Sequence, residues 1–289
     1  MQTDTLPSLI LALATMLAYL ASGVALAMGY YHASTRIKQI GVALVAAAVV
    51  GHALVLWMQM NTHAGWDVNF ANALSLAALI IVILIAAWSM FRARMLEAGI
   101  LAFPGAGACV ALQWALPVPP LVLSHLSTML EIHVFSSLLA YGLLSIAAIN
   151  AVLLALQDYL IRHPRPLQQL ELLPPLAVLE AIMFQLIAVG WLVLTLSLLS
   201  GLVFIDDLLA QHLVHKTVLS TLSWLLFGLL LLGRWWLGWR GRRAVNWTFV
   251  AMAFLALSYF GSKLVLEVVL DRSWSEPGVP TISSPAPND

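Results

Sequence analysis

HLVHKTVLSTLSWLLFGLLLLGRWWLGWRGRRAVNW, residues His212–Trp247, holds the pattern that decides the fold. Two histidines three apart, His212 and His215, and Lys216 precede an apolar run from Thr217 to Gly233. A basic, Trp-rich turn follows, with Arg234, Arg240, Arg242 and Arg243 among Trp235, Trp236 and Trp239. The run is long enough to cross a bilayer, for which about 17–25 apolar residues suffice. Basic loops resist translocation, so the arginines mark their end as cytoplasmic and place the histidines at the outer face.

Outward from this stretch the same pattern repeats. The chain is 62% hydrophobic and 9% charged, against roughly 25% charged residues in a soluble domain. A water-soluble globular domain is excluded. Apolar segments fall at about 6–30, 39–60, 72–91, 97–115, 129–157, 179–205, 217–233 and 248–270. The fold class is therefore all-α, a polytopic membrane helix bundle of about eight transmembrane helices. If the spans alternate, Arg36, Lys38, Arg92, Arg94, Arg162, Arg165 and the four arginines already named share one side. Only Lys216, Lys263 and Arg272 of the 13 cations fall on the other. This asymmetry predicts both termini outside. The membrane domain is expected over residues 1–271. Residues 272–289, rich in Pro and Ser, read as a disordered outer tail. The N-terminus lacks a basic n-region and is expected to be a retained first span, not a cleaved signal.

Composition also removes several chemistries. Net charge is zero, so no nucleic-acid footprint exists. Cys109 is the single cysteine, which rules out an intrachain disulfide, a CxxC pair and a thiolate-held zinc cluster. No CxxCH is present, so haem is not attached covalently. No nucleophile motif, phosphate loop or HExxH occurs, and a non-enzymatic role is expected.

Histidine remains, because neutral imidazole ligates metals and haem iron. His133 opens the fifth span in EIHVFSSLLAYG, and His215 stands just before the seventh. Both are expected near the outer surface, at one depth, where they are able to clamp a flat cofactor. The plainer reading is that interfacial imidazoles snorkel to water. His52 lies inside the second span, where ionisable groups face a bundle interior or a cavity. A hydrogen bond to a neighbouring helix is the plainer role for it. His212 and His215, with Asp206 or Asp207, offer a weak divalent-metal spacing. Lys263 and Glu267, four apart, are expected to pair. Proline is nearly absent from the spans, with Pro104 the clear case, which lowers the case for an alternating-access transporter.

Several stretches carry a family resemblance. GWRGRRA (Gly238–Ala244) with LSYFGSK (Leu257–Lys263), HVFSSLLAYGLLSIAAINAVLLALQ (His133–Gln157), LPPLAVLEAIMFQLIAVGWLVLTLSLLSGLVF (Leu173–Phe204) and HKTVLSTLSWLLFG (His215–Gly228) resemble the cytochrome c assembly family. GHALVL, from Gly51, is similar to the family's early intramembrane histidine region. Within the family, the chain looks most like the shorter HemX/YpjD-like branch of CcsA-related inner-membrane proteins.

The resemblance implies a bacterial inner-membrane protein that handles non-covalent haem b. The lipid bilayer and other cytochrome c maturation or membrane proteins would be its partners. In equipped members, histidines flanking a WxWD-type signature hold external haem, and His133 corresponds to the first of them. This chain reads IDDLLAQHLVHK where the signature would stand, and LEVVLDRSW where the second external histidine would. His215 sits where the signature ends and is the replacement ligand that position suggests. The expectation is an accessory or regulatory haem-binding role in cytochrome c assembly or haem biogenesis, with His133, His215 and His52 as candidate cofactor ligands. A transporter or ion-homeostasis component using His52, and a ligand-free interaction subunit, are the alternatives.

Overall fold

A computed structural model describes residues 5–62, 65–92, 95–116, 120, 122–123, 128–162, 175–204 and 211–261. Eight helices in it are long and apolar enough to cross a membrane. They are α1 (Thr5–Tyr31), α2 (Thr35–Met60), α3 (Phe70–Ser89), α4 (Leu96–Ala115), α5 (Thr128–Arg162), α6 (Leu176–Phe204), α7 (Gln211–Leu237) and α8 (Gly241–Ala256), the last continued by a π-helical turn, Leu257–Gly261. The protein is an all-α multi-pass bundle. The proposed pair Lys263–Glu267 and residues 272–289 lie outside the described residues.

Local chemistry sets the boundaries. The Ser34 hydroxyl accepts from the Ile37 amide at 3.4 Å and starts α2. The Asn69 side chain accepts from the Asn72 amide at 2.9 Å and starts α3. Such caps satisfy amides that the first helical turn leaves without partners. Between α7 and α8 the chain turns in three residues, Gly238–Arg240. Gly238 (φ 63°) and Gly241 (φ 56°) bracket that turn in the left-handed region, which glycine enters without steric cost. Trp239 folds back from it to stack on Trp247 at 5.5 Å.

This turn is shorter than the expected arginine-rich loop. Arg234, Trp235 and Trp236 belong to the last turn of α7, and Arg242 and Arg243 to the first turn of α8. The helix starts earlier because Ala244, Val245 and Thr248 bury one face while the arginines stay on the other. At the arginine-rich end α5 is likewise longer than expected, extended to Arg162 by an i,i+4 ion pair of Arg162 with Asp158. A second departure is a small antiparallel sheet that hydropathy did not indicate. β1 (Asn61–Thr62), β2 (Gly65–Asp67) and β3 (Val122–Leu123) pair in that order, with Trp66 opposite Asn61 on one side and Leu123 on the other. It pairs backbone groups of the loops after α2 and before α5.

Packing divides the bundle into two groups. In the first, α1 packs on α2 and α4, and α3 on α4 and α2. In the second, α5 and α7 each neighbour α6 and α8, so α5 and α7 stand diagonally. Contact of α3 with α5 joins the groups. Without a hydrophobic driving force between helices in lipid, close approach at small residues does much of the work. A Cβ on Gly23 would come within 2.6 Å of the Pro104 ring, and one on Gly107 within 3.2 Å of the Met16 carbonyl oxygen. Pro104, in the interior of α4, is thus a packing surface for α1. Helix direction alternates, so Arg36, Lys38, Arg92, Arg162, Arg234, Arg240, Arg242 and Arg243 gather at one end. Lys216 is the only cation at the opposite end among the described residues.

Candidate functional site

His133 sits in the second turn of α5, half-buried against α6. Its Nδ1 lies 3.0 Å from the Ser197 carbonyl oxygen and 3.0 Å from Ser200 Oγ. A carbonyl only accepts, so Nδ1 carries the proton and donates it. Nε2 therefore keeps its lone pair, and it makes no hydrogen bond among the described residues. The ring is held from both sides. Ser137 Oγ donates to the His133 carbonyl at 2.7 Å and lies 2.6 Å from Ser197 Oγ. Gly201 leaves the space the imidazole fills, since a Cβ there would stand 3.0 Å from His133 Cε1. Imidazoles that ligate a metal are commonly fixed in this way, one nitrogen donating to a backbone carbonyl while the other faces the metal.

His215 occupies the second turn of α7, and its side chain lies outside the described residues, as does that of His212. The backbone nevertheless settles which end it occupies. Trp191 stacks on Trp224 at 5.4 Å, and Glu180 pairs with Arg234, so α6 and α7 run antiparallel. The Lys216 carbonyl accepts from Ser258 at 2.8 Å. The start of α7 thus meets the end of α6 that holds His133. The fold places the residues His133 and His215 at one end of the second group, on diagonal helices. His63, His125, His163, Asp206 and Asp207 lie outside the described residues. Among the described residues, no three His, Cys, Asp or Glu side chains form a metal-binding group.

His52 is elsewhere, fully buried in the first group. Its Nε2 lies 2.8 Å from Ser75 Oγ, its Nδ1 3.1 Å from the Tyr19 hydroxyl. Ser75 donates its only proton to Gln113 Oε1 at 2.9 Å, so it must accept from His52 Nε2–H. Nδ1 is then an acceptor, and Tyr19 donates to it. The chain continues in one direction: Gln113 Nε2 donates to Asn72 Oδ1 at 2.7 Å, and Asn72 Nδ2 to the Asp67 carbonyl at 3.0 Å. Asn69 closes the end, its backbone and side-chain N–H groups on the Asp67 carboxylate at 3.1 and 3.2 Å. Four helices, α1 to α4, are tied to β2 by this network. Both His52 nitrogens are engaged, so ligation by His52 would require displacement of Tyr19 or Ser75. The plainer role, a hydrogen bond to neighbouring helices, is the one the geometry carries. The amides of Gln113 and Asn72 donate and accept at separate atoms, which makes the path poorly suited to relaying protons.

Sequence reading did not single out Ser197, Ser200 and Gly201, the α6 side of the His133 site. Their spacing in SLLSG, small residues at i, i+3 and i+4, is the signal of a helix face that a neighbour approaches closely. The chain of Tyr19, Ser75, Gln113 and Asn72 was equally silent, because no local spacing links four helices.

Fold and site together define a multi-pass α-helical membrane protein whose His133 and His52 networks lie toward the end remote from its arginines. Residues 10–270 match the family described as cytochrome C assembly protein, and the chain belongs to that family. It is similar to the inner membrane protein YpjD of Escherichia coli K12, 29% identical over 265 residues, covering 90% of this chain and 99% of the relative. It is also similar to a 28.8 kDa protein from the nifR3-like 5′ region of Azospirillum brasilense, 27% identical over 219 residues, with 74% of this chain and 81% of that one covered. No solved structure matches. The chain is a multi-pass inner-membrane protein.

Proposed function

We propose that this protein binds haem b non-covalently at the outer face of the membrane and serves as a non-catalytic accessory or regulatory component of cytochrome c assembly or haem biogenesis. The observation that carries this reading is the His133 imidazole, whose Nδ1 is fixed on the Ser197 carbonyl at 3.0 Å. That leaves Nε2 with a lone pair suited to iron. Family membership supports the same chemistry, and the diagonal placement of α5 and α7 makes His215 the proposed second ligand. Bound there, haem supplies a redox-active iron, while the protein residues orient His133, hold its tautomer and keep the ring against Gly201. His52 is left out of the proposed ligand set because both its nitrogens are engaged.

The test is the absorption spectrum of full-length protein purified from haem-replete cells. A Soret band with the α and β bands of bis-histidine haem is expected, lost in His133→Ala and altered in His215→Ala. Protein that is haem-free and takes up no haem on titration would overturn the reading.

A further inference from the structure

The cavity at the arginine-rich end carries chemistry that the haem reading does not use. It encloses about 350 Å³ between α5, α6 and α8. Its floor is apolar, with Leu154 on α5 and Val245 and Phe249 on α8, and its mouth is charged, with Asp158, Arg162, Glu180 and Arg242. This division follows from helix geometry. On α5, residue 158 lies one turn beyond 154, and on α8, residue 242 one turn before 245, so charge sits toward the bundle end and apolar wall toward its middle.

The charge is not balanced. The Asp158 carboxylate is met by Arg162 at 3.0 Å and Arg242 at 3.7 Å. The Glu180 carboxylate is met by Arg234 at 2.5 Å and Arg240 at 3.8 Å. Two carboxylates thus meet four arginines, Arg162 and Arg242 in the cavity lining and Arg234 and Arg240 just outside it, which leaves two positive charges in surplus around the mouth. Arg162 and Arg242 hold their carboxylate from the solvent side, with side chains 58% and 76% exposed. Each has guanidinium N–H donors to spare. An amphiphile with an anionic head and an apolar tail is what such a site complements.

We propose that this cleft seats one anionic phospholipid, its phosphate on Arg162 and Arg242 and an acyl chain along Leu154, Val245 and Phe249. Basic pockets between membrane helices are a recurrent form of headgroup site. The lipid would bridge α5 and α8 where the cavity separates them.

Native mass spectrometry of the full-length protein in detergent tests this, with phosphatidylglycerol and phosphatidylcholine of identical acyl chains as probes. Preferential retention of phosphatidylglycerol is expected. Arg162→Gln and Arg242→Gln are each expected to lower it about fivefold, the effect of one basic residue near an anionic headgroup. The double variant Arg36→Gln/Arg92→Gln removes two charges from the same end outside the cavity, more than either single variant, and retention should stay unchanged. Equal retention of the two lipids would overturn the proposal. So would an equal loss in the Arg36/Arg92 variant, which indicates diffuse charge. Displacement by inorganic phosphate as effective as by phosphatidylglycerol would overturn it too, since the site would then bind a free anion.

Discussion

Ser75 Oγ stands 2.8 Å from His52 Nε2 and 2.9 Å from Gln113 Oε1, accepting from the first and donating to the second. One hydroxyl therefore orients the whole buried chain from Tyr19 to Asp67. Ser75→Ala leaves an imidazole N–H and an amide oxygen without partners in an apolar setting. The cost expected for such orphaned groups is about 1–3 kcal/mol, read as a lowered midpoint of thermal unfolding in detergent. His52→Ala should lower the midpoint similarly and leave the haem content of the purified protein unchanged. Loss of haem in His52→Ala would return His52 to the ligand set.

Gly201 governs how close the His133 ring lies to α6. A Cβ would approach Cε1 to 3.0 Å, which the ring absorbs by moving a few tenths of an ångström, so Gly201→Ala should shift the haem spectrum only slightly. Gly201→Leu removes the space altogether. It should lower haem occupancy strongly while the protein still inserts and folds. Retained occupancy in Gly201→Leu would show that the His133 orientation found here is not the ligating one.

Glu180 ties three elements together. Its carboxylate pairs with Arg234 of α7 at 2.5 Å and accepts from the Gly241 amide that opens α8 at 3.2 Å. Side chains of Glu180 and Arg234 are 14% and 24% exposed. Removing one member of a fully buried pair costs about 3–5 kcal/mol. The remaining exposure here brings the expectation for Glu180→Ala down to roughly 2–3 kcal/mol. Detergent unfolding of Glu180→Ala and the double variant Glu180→Ala/Arg234→Met checks this, with the double variant recovering much of the loss.

How much of this was legible in the sequence depends on the range of the interaction. Span count and alternation rest on hydropathy and on cations placed a few residues from each apolar run, both local, and the eight helices follow them. Misplaced ends have local causes too: Arg242 and Arg243 read as loop because hydropathy averages over a face that Ala244, Val245 and Thr248 bury. His133 and His52 were both visible as histidines in or beside spans. What separated them was not. A carbonyl sixty-four residues away fixes one ring by its Nδ1, and partners on α1 and α3 occupy both nitrogens of the other. No residue spacing encodes those contacts, and only the assembled bundle distinguishes a ring held by one nitrogen among the described residues from a structural hub held by both.

At Gly23 the prediction concerns packing alone. A Cβ there would come within 2.6 Å of Pro104 Cγ, and both residues are constrained, one by helix packing and one by its ring. Gly23→Val is expected to cost about 1–3 kcal/mol through overpacking and to separate α1 from α4. A cysteine pair placed across that contact should cross-link in the native protein and fail to do so in Gly23→Val.

The last prediction concerns sidedness, on which the proposed pairing of His133 with His215 depends. The fold puts both residues at one end of the bundle because α6 runs antiparallel to α5 and to α7. Which face of the membrane that end meets is a matter of charge. Eight described cations, from Arg36 to Arg243, gather at the other end, and basic segments are retained in the cytoplasm. Reporter fusions after Arg162 and after Arg243 should therefore be cytoplasmic, and fusions at Thr128 and Gln211 external. An external reporter after Arg243 would invert the bundle and move the proposed haem site to the cytoplasmic face. Opposite readings at Thr128 and Gln211 would do more damage. They would place His133 and His215 about 30 Å apart across the hydrocarbon, too far to share one iron.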